Sequence, residues 1–199
     1  MKKMILVLSL VVFIAGCGVM QTIANFKKLQ FKIDSANELT LGGIDISHVT
    51  KLEDFNATHI AALYKIIFDQ KIPLSFTLNI AAKNPNEGSD GTTAADITLK
   101  SMPFTLYIDE NEYLTANIKQ PVVVPAQNEV TIIPIQVDLD LWEWVKGNNF
   151  NNTLKPILAL GGVKGITTHL KLTTKPVIGT PIGDIEYPGT ITIVDHKFN

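Results

Sequence analysis

Cys17 is the single cysteine among 199 residues and is the residue most clearly placed for chemistry. One thiol cannot close an internal disulfide, and outside the cytoplasm an unmodified thiol is a liability. The remaining candidates are scattered. His48, His59, His169 and His196 never fall at the i, i+4 spacing that presents two imidazoles to zinc on one helical face. After Cys17 the serines are Ser35, Ser47, Ser75, Ser89 and Ser101, and none has the Gly-x-Ser-x-Gly setting of a nucleophile elbow. Asp138 and Asp140 share one face of any strand that carries them, where paired carboxylates do acid–base work, bind Ca²⁺ or simply face solvent. The apolar residues that alternate with them favour the solvated face. Asp109, Glu110 and Glu112 surround a turn without the rest of a calcium loop, and Gly161-Gly162 lacks a phosphate-loop context and reads as a helix terminator. The expectation is a protein that is not an enzyme, with no catalytic residue, no metal site and no cofactor.

The elements around Cys17 give its chemistry. Lys2 and Lys3 precede an apolar run from Met4 to Ile14 that only Ser9 interrupts. A run of that length suits a signal peptide and falls short of the ~20 residues of a spanning helix. Ile14-Ala15-Gly16-Cys17 then resembles the lipobox of bacterial lipoproteins. The resemblance implies that residues 1–16 are a signal peptide, that Cys17 is the lipidated first residue of the mature protein, and that residues 17–29 are a lipidated tether. Two acyl chains (palmitate, for example) give stable anchoring where one is marginal. Gly18 follows the cysteine and no acidic residue occurs before Asp34. That pattern resembles the default for the periplasmic leaflet of the outer membrane. In a source with a single membrane, the domain would face outward from the cell envelope.

Without the leader, 15 lysines face 19 acidic residues, so the mature chain carries net −4 and no basic patch for nucleic acid. The chain contains no arginine, the residue that builds bidentate phosphate clamps, although AT-rich coding also explains this. At 183 residues it is about one domain's length, enough to bury about 70% of the unfolded surface.

The pattern along the chain is chiefly β. Phe31–Ile33 alternates, and Leu39–Leu41 and Ile44–Ile46 alternate on either side of Gly42-Gly43, which suits a turn or bulge. From Leu52 to Phe68 the period becomes helical, with apolar residues at 60, 63, 64 and 67 and with Asp54 or Asn56 as N-cap. Pro73 is expected to end that interruption. Strands are then expected at Leu74–Ile80, within Ala95–Ile108 with a bulge or edge at Met102-Pro103, at Tyr113–Lys119, and as a short extended piece over Pro121–Pro125. Further strands follow at Val130–Leu141, Thr167–Thr173 and Tyr187–Val194, with short helices at Trp142–Val145 and Leu154–Leu160. Trp142 and Trp144 are expected to anchor the first of these helices to the core.

Several of these features occur in a familiar order. Strand Phe76–Ala82 runs into Asn84-Pro85-Asn86, and a hairpin contains Phe104-Thr-Leu106-Tyr107-Ile108-Asp109. Pro125 precedes an alternating strand, and the chain finishes with His169-Leu-Lys-Leu, Thr180-Pro-Ile-Gly and Ile185-Glu-Tyr-Pro188. Over residues 30–199 this resembles the late embryogenesis abundant (LEA) type 2 family, also called the WHy domain. The resemblance implies an all-β, seven-stranded sandwich similar to immunoglobulin and fibronectin type III domains, with a short helical insertion. It also implies a noncatalytic stress-response or structural role. The alternative is an interaction module for an envelope protein or lipid, for which helix 52–68 would be the added surface. Asn84, Pro85 and Asn86 also have a reading that needs no family: Pro85 holds Asn84 extended and cannot donate to a ladder, so the strand ends there.

Overall fold

In a computed structural model of the chain, the described residues are 20–49, 54–88, 94–127, 129–142, 146, 168–180 and 182–198. Cys17, the 1–16 leader, Trp144, the Leu154–Leu160 helix and Gly161-Gly162 lie outside them.

A helix over residues 20–26, α1, leads into β1 (Gln30–Leu41), and a turn at Gly42-Gly43 joins β1 to the two-residue β2 (Ile44–Asp45). Both glycines have positive φ, +60° and +79°, which a two-residue hairpin loop requires. After α2 (Ala57–Phe68) come β3 (Pro73–Lys83), β4 (Ile97–Ser101), β5 (Phe104–Ile108) and β6 (Asn111–Ala116). Then follow β7 (Val122–Val124), β8 (Val130–Asp140), β9 (Thr168–Thr174), β10 (Val177–Thr180), β11 (Gly183–Glu186) and β12 (Ile191–Phe198). Pro73 opens β3, a position a strand tolerates because the first residue has no ladder bond to lose.

All strand pairs are antiparallel. The first layer has the order β2-β1-β3-β8, and two further four-stranded sheets have the orders β11-β10-β4-β7 and β12-β9-β5-β6. Those two sheets are halves of one creased layer. β4 runs into β5 through Met102-Pro103, and β9 runs into β10 through Lys175-Pro176. β6 reaches β7 across Pro121, and β11 reaches β12 across Pro188. The register puts all four breaks at one level: Phe104 faces Thr174 and Ala116, while Ser101 faces Val177 and Leu99 faces Val122. A proline cannot donate a ladder bond, so four aligned prolines cut the ladder across the whole layer. Side chains satisfy the freed groups. Asn117 Oδ1 accepts from the Met102 and Ile118 amides at 2.8 Å each, and its Nδ2 donates to Ser101 Oγ. The Thr174 hydroxyl donates to Pro103 O at 2.7 Å.

The class is therefore the expected all-β sandwich. The strand count is not seven: twelve segments occur among the described residues, because four traversals are each cut at the crease. One core fills the space between the layers. Leu74, Phe76, Leu78 and Ile80 from β3 and Ile133, Ile135 and Val137 from β8 meet Ile97, Leu99, Phe104, Leu106, Leu170 and Leu172 from the creased layer.

Part of the 17–29 segment read as a lipidated tether is folded, residues 17–19 lying outside the described ones. Residues 20–26 are helical, and Asn25, Phe26 and Leu29 are buried. Phe26 packs its ring 4.9 Å from Tyr187, so the folded domain takes in this segment.

Candidate interaction surface

Helix α2 carries more apolar side chains than one face needs. Asn56 caps it, with Oδ1 accepting from the His59 amide at 2.9 Å, so Asn56 is the cap rather than Asp54. The helix ends with Gln70 in the left-handed region at φ +53°, and the amides of Gln70 and Lys71 return to Ile67 O and Ile66 O. This is the Schellman arrangement. Both ends are thus closed, and the helix stands where β1 turns back, above Gly42.

Its inward residues are Leu63 and Ile66, which with Phe55 pack on the core. Its outward residues are Ile60, Tyr64, Ile67 and Phe68, exposed to 44%, 72%, 42% and 85%. Offsets of four, seven and eight residues place these four in one stripe along the helix. The face read from the sequence mixed the two sets: it joined Leu63 to the outward residues. Lys65, Asp69, Gln70 and Lys71, all exposed, rim the stripe. An apolar centre with a polar rim is how docking surfaces are built, and contiguous exposed apolar patches mark such sites.

A second constellation lies at the far end of the creased layer. His169 Nε2 is 2.5 Å from Asp195 Oδ1, and its Nδ1 is 3.0 Å from Glu110 Oε1. The hydrogen bond to Asp195 is the chief reason the imidazole titrates above its ordinary value, and Glu110 adds to it. Asp109 and Glu110 form the β5–β6 turn with φ of +47° and +66°, a conformation that glycine usually supplies. Two bonds hold this turn: the Asp109 amide donates to His169 O, and the side-chain Asp109 Oδ1 accepts from the His169 amide, both at 2.9 Å. The cluster is exposed and no serine or cysteine adjoins it in these bonds. It acts as a clamp across three elements. Sequence reading missed it because residues 110, 169 and 195 share no local spacing.

Asn84 is fully buried, and its Nδ2 donates to Ala95 O at 2.9 Å and to Val124 O at 3.4 Å. Its Oδ1 accepts from the Asn86 amide at 3.2 Å. It thereby ties the end of β3 in one layer to Ala95, on the approach to β4, and to Val124, the last residue of β7, in the other. Asp138 and Asp140 share the exposed face of β8. Asp138 accepts from Ser75 Oγ at 2.6 Å, and Asp140 Oδ1 accepts from the amides of Ile72 and Trp142. Trp142 is half-buried against the core. Burial raises the Tyr113 hydroxyl above its ordinary range. Among the described residues no group of three or more His, Cys, Asp and Glu is arranged to hold a metal, and no helix is long and apolar enough to cross a membrane.

No family model matches the chain. No curated protein matches it. Among solved structures it is similar to a protein from Archaeoglobus fulgidus, with 14% identity, 62% of this chain and 84% of that chain covered, and a TM-score of 0.38. It is also similar to a candidate late embryogenesis abundant (LEA) protein solved in solution, with 11% identity, 99% and 86% coverage, and a TM-score of 0.38. The second shares its family term with the resemblance read from the sequence, but at these scores neither likeness carries an argument.

Proposed function

We propose that this chain is a noncatalytic, membrane-anchored lipoprotein of the cell envelope, LEA type 2-like in sequence, that docks an envelope protein through α2. The observation that carries the docking is the outward stripe of Ile60, Tyr64, Ile67 and Phe68. Four large apolar side chains in water are a cost unless something covers them. Their offsets match the anchor pattern of an amphipathic helix seated in a partner's apolar groove.

The occupant is a protein rather than the membrane that holds the anchor. The attachment at Cys17 is a reading of the sequence, in which the leader, the small residues and the lone thiol fall in order. It enters the domain through α1, beside the first residue of β1. Helix α2 stands at the last residue of β1, 12 residues on, roughly 36 Å away at ~3.3 Å per residue. An upright domain therefore holds the stripe outward, and the anchoring leaflet is proposed to be the periplasmic face of the outer membrane.

The test is a photo-crosslinking residue placed at Phe68 in intact cells, with Gln136 on β8 as the control position. The expected result is a discrete adduct with another envelope protein from position 68, weakened by Tyr64→Ser. An adduct only within the chain itself, or none above the Gln136 control, overturns the docking. The sequence resemblance favours stress shielding as the second reading. Drying a labile enzyme with this protein or with an equal mass of albumin separates the two, since recovery above albumin supports shielding. Lipidation has its own readout: Cys17→Ala should release the protein from membranes and abolish acyl labelling.

A further inference from the structure

The outer face of the first layer carries a groove of about 410 Å³ at the end where β1 begins. That volume lies within the range of small-ligand sites. Two cross-strand rows build it. Lys32, Ala81 and Ile132 face one another across β1, β3 and β8, and Gln30, Lys83 and Val130 form the next row. Ala81 is the small residue that makes the depression, and it is 3% exposed although it points outward. One wall is cationic, from Lys32 and Lys83. The other is aliphatic: Val130, 53% exposed, lines it, and Ile132, 43% exposed, flanks it beside Ala81.

No carboxylate lines the groove. Lys32 and Lys83 form no ion pair with a described residue. Lys27 and Lys28 lie on the link from α1 to β1, and Glu129 is the acidic residue next to Val130 in the chain. A groove with positive charge on one side and hydrocarbon on the other, in a chain that is otherwise net negative, matches a molecule with an anion at one end and an alkyl chain at the other.

Chain connectivity says which such molecule is within reach. Phe31 borders the groove through its place on β1, while its ring turns to the core beside inward-facing Ala82 and lies 6.4 Å from that of Phe26 in α1. α1 spans about 10 Å over residues 20–26 at ~1.5 Å per residue. Cys17 lies three residues before it, at most about 10 Å further at ~3.5 Å per residue. An attachment at Cys17 therefore holds the bilayer surface within about 30 Å of the groove, the sum of these spans.

We infer that the groove seats the phosphate and first methylenes of an anionic phospholipid drawn from the anchoring membrane. Lys32 and Lys83 take the phosphate, and Val130 and Ile132 lie along the chain. The consequence is a fixed orientation, with this end down and α2 outward. The inference rests on membrane attachment through the N-terminal segment, whose failure would show separately in Cys17 acyl labelling.

The test places the full membrane-extracted protein in phosphatidylcholine nanodiscs with or without phosphatidylglycerol and reads lysine labelling by an amine reagent. The expected result is protection of Lys32 and Lys83 by about fivefold in the anionic discs, the factor equivalent to ~1 kcal/mol per lysine at an anionic surface. Lys65 on α2 and Lys71 in the turn that ends it should be unchanged, and Ala81→Leu, which fills the floor without altering charge, should abolish the protection. Equal protection of Lys65 and Lys71, no protection at Lys32 and Lys83, or protection that survives Ala81→Leu overturns the site. Inorganic phosphate protecting both lysines equally well in phosphatidylcholine discs overturns the lipid as its source.

Discussion

Replacing Asn84 should be among the more damaging single substitutions in this domain, and its size can be worked from three bonds. The side chain is fully buried. It donates to Ala95 O at 2.9 Å and Val124 O at 3.4 Å, and it accepts from the Asn86 amide at 3.2 Å. The bond to Val124 is long and contributes little. The other two are each worth about 1 kcal/mol, and leaving the buried Asn86 amide unpaired adds about 1 kcal/mol more, so Asn84→Ala should cost about 3 kcal/mol. At ~2–4 °C per kcal/mol for a domain of this size, the melting temperature should fall by about 6–12 °C. Asn84→Asp keeps the volume but points an acceptor at carbonyl oxygens. Burial and those oxygens favour the protonated carboxyl in the folded state, so its folded pKa is raised. The Asp variant should then be closest to wild type in acid and lose stability as pH rises through that value. Thermal unfolding of both variants across pH checks this. A fall under about 2 °C for Asn84→Ala, or an Asp variant whose deficit is independent of pH, would refute the stitch between layers.

At His169 the folded pKa is raised, chiefly by Asp195. Its stabilisation should be fully present below the ordinary imidazole value near 6.5 and be lost as pH rises through the folded value, whereas His169→Gln should remove that slope; an NMR titration of the ring that shows no upward shift would contradict the clamp. A Cβ at Gly42 would collide with Ile66 Cδ1, while one at Gly43 meets nothing, and both residues have positive φ. Both alanine substitutions should cost the ~1–2 kcal/mol of left-handed backbone strain, and because the atom met at Gly42 is the movable end of Ile66, Gly42→Ala should add only a smaller further loss in thermal melts; a Gly42→Ala variant less damaged than Gly43→Ala would mean that α2 does not bear on the turn. Tyr64→Ser with Phe68→Ser should leave stability within about 0.5 kcal/mol while removing the crosslink, as expected of exposed side chains; a larger loss would mean that the stripe packs on the domain.

Local pattern carried far where one face of an element decides its fate. β8 shows this best: its alternating apolar residues turn inward and Asp138 and Asp140 outward because a strand with one buried face has no other register. The hairpin at Gly42-Gly43 and the turn at Asp109–Asn111 were legible from turn chemistry. What stayed hidden depended on partners far along the chain. Residues 17–29 read as a tether, and the burial of Phe26 depends on Tyr187, more than 150 positions later, as well as on nearby Phe31. The hairpin β10–β11 was missed because its strands have four residues each and include Gly179 and Gly183, which weaken the β signal. The crease needs four prolines to align, which only the strand pairing reveals. At the candidate surface, helical spacing was visible, but which stripe turns inward was set by the β1 turn beneath it.

The prolines have a further meaning for a domain whose single cysteine rules out an internal disulfide. An open sheet edge offers unpaired amides and carbonyls to any passing strand, and long flat edges seed aggregation. Here each long boundary is interrupted. β8, at one margin of the first layer, contains Pro134; β11 and β12 are parted at Pro188, and β6 and β7 at Pro121. The opposite margin of the first layer begins with a strand of only two residues. A foreign strand pairing along β8 or from β6 into β7 would therefore meet a missing donor partway, while the open part of β1, Gln30–Leu39, carries no proline and is broken instead by the register shifts at Ile33/Ser35 and Asn37/Thr40. The same residues that crease the fold thereby shorten several of the open edges on which another copy of the chain could pair.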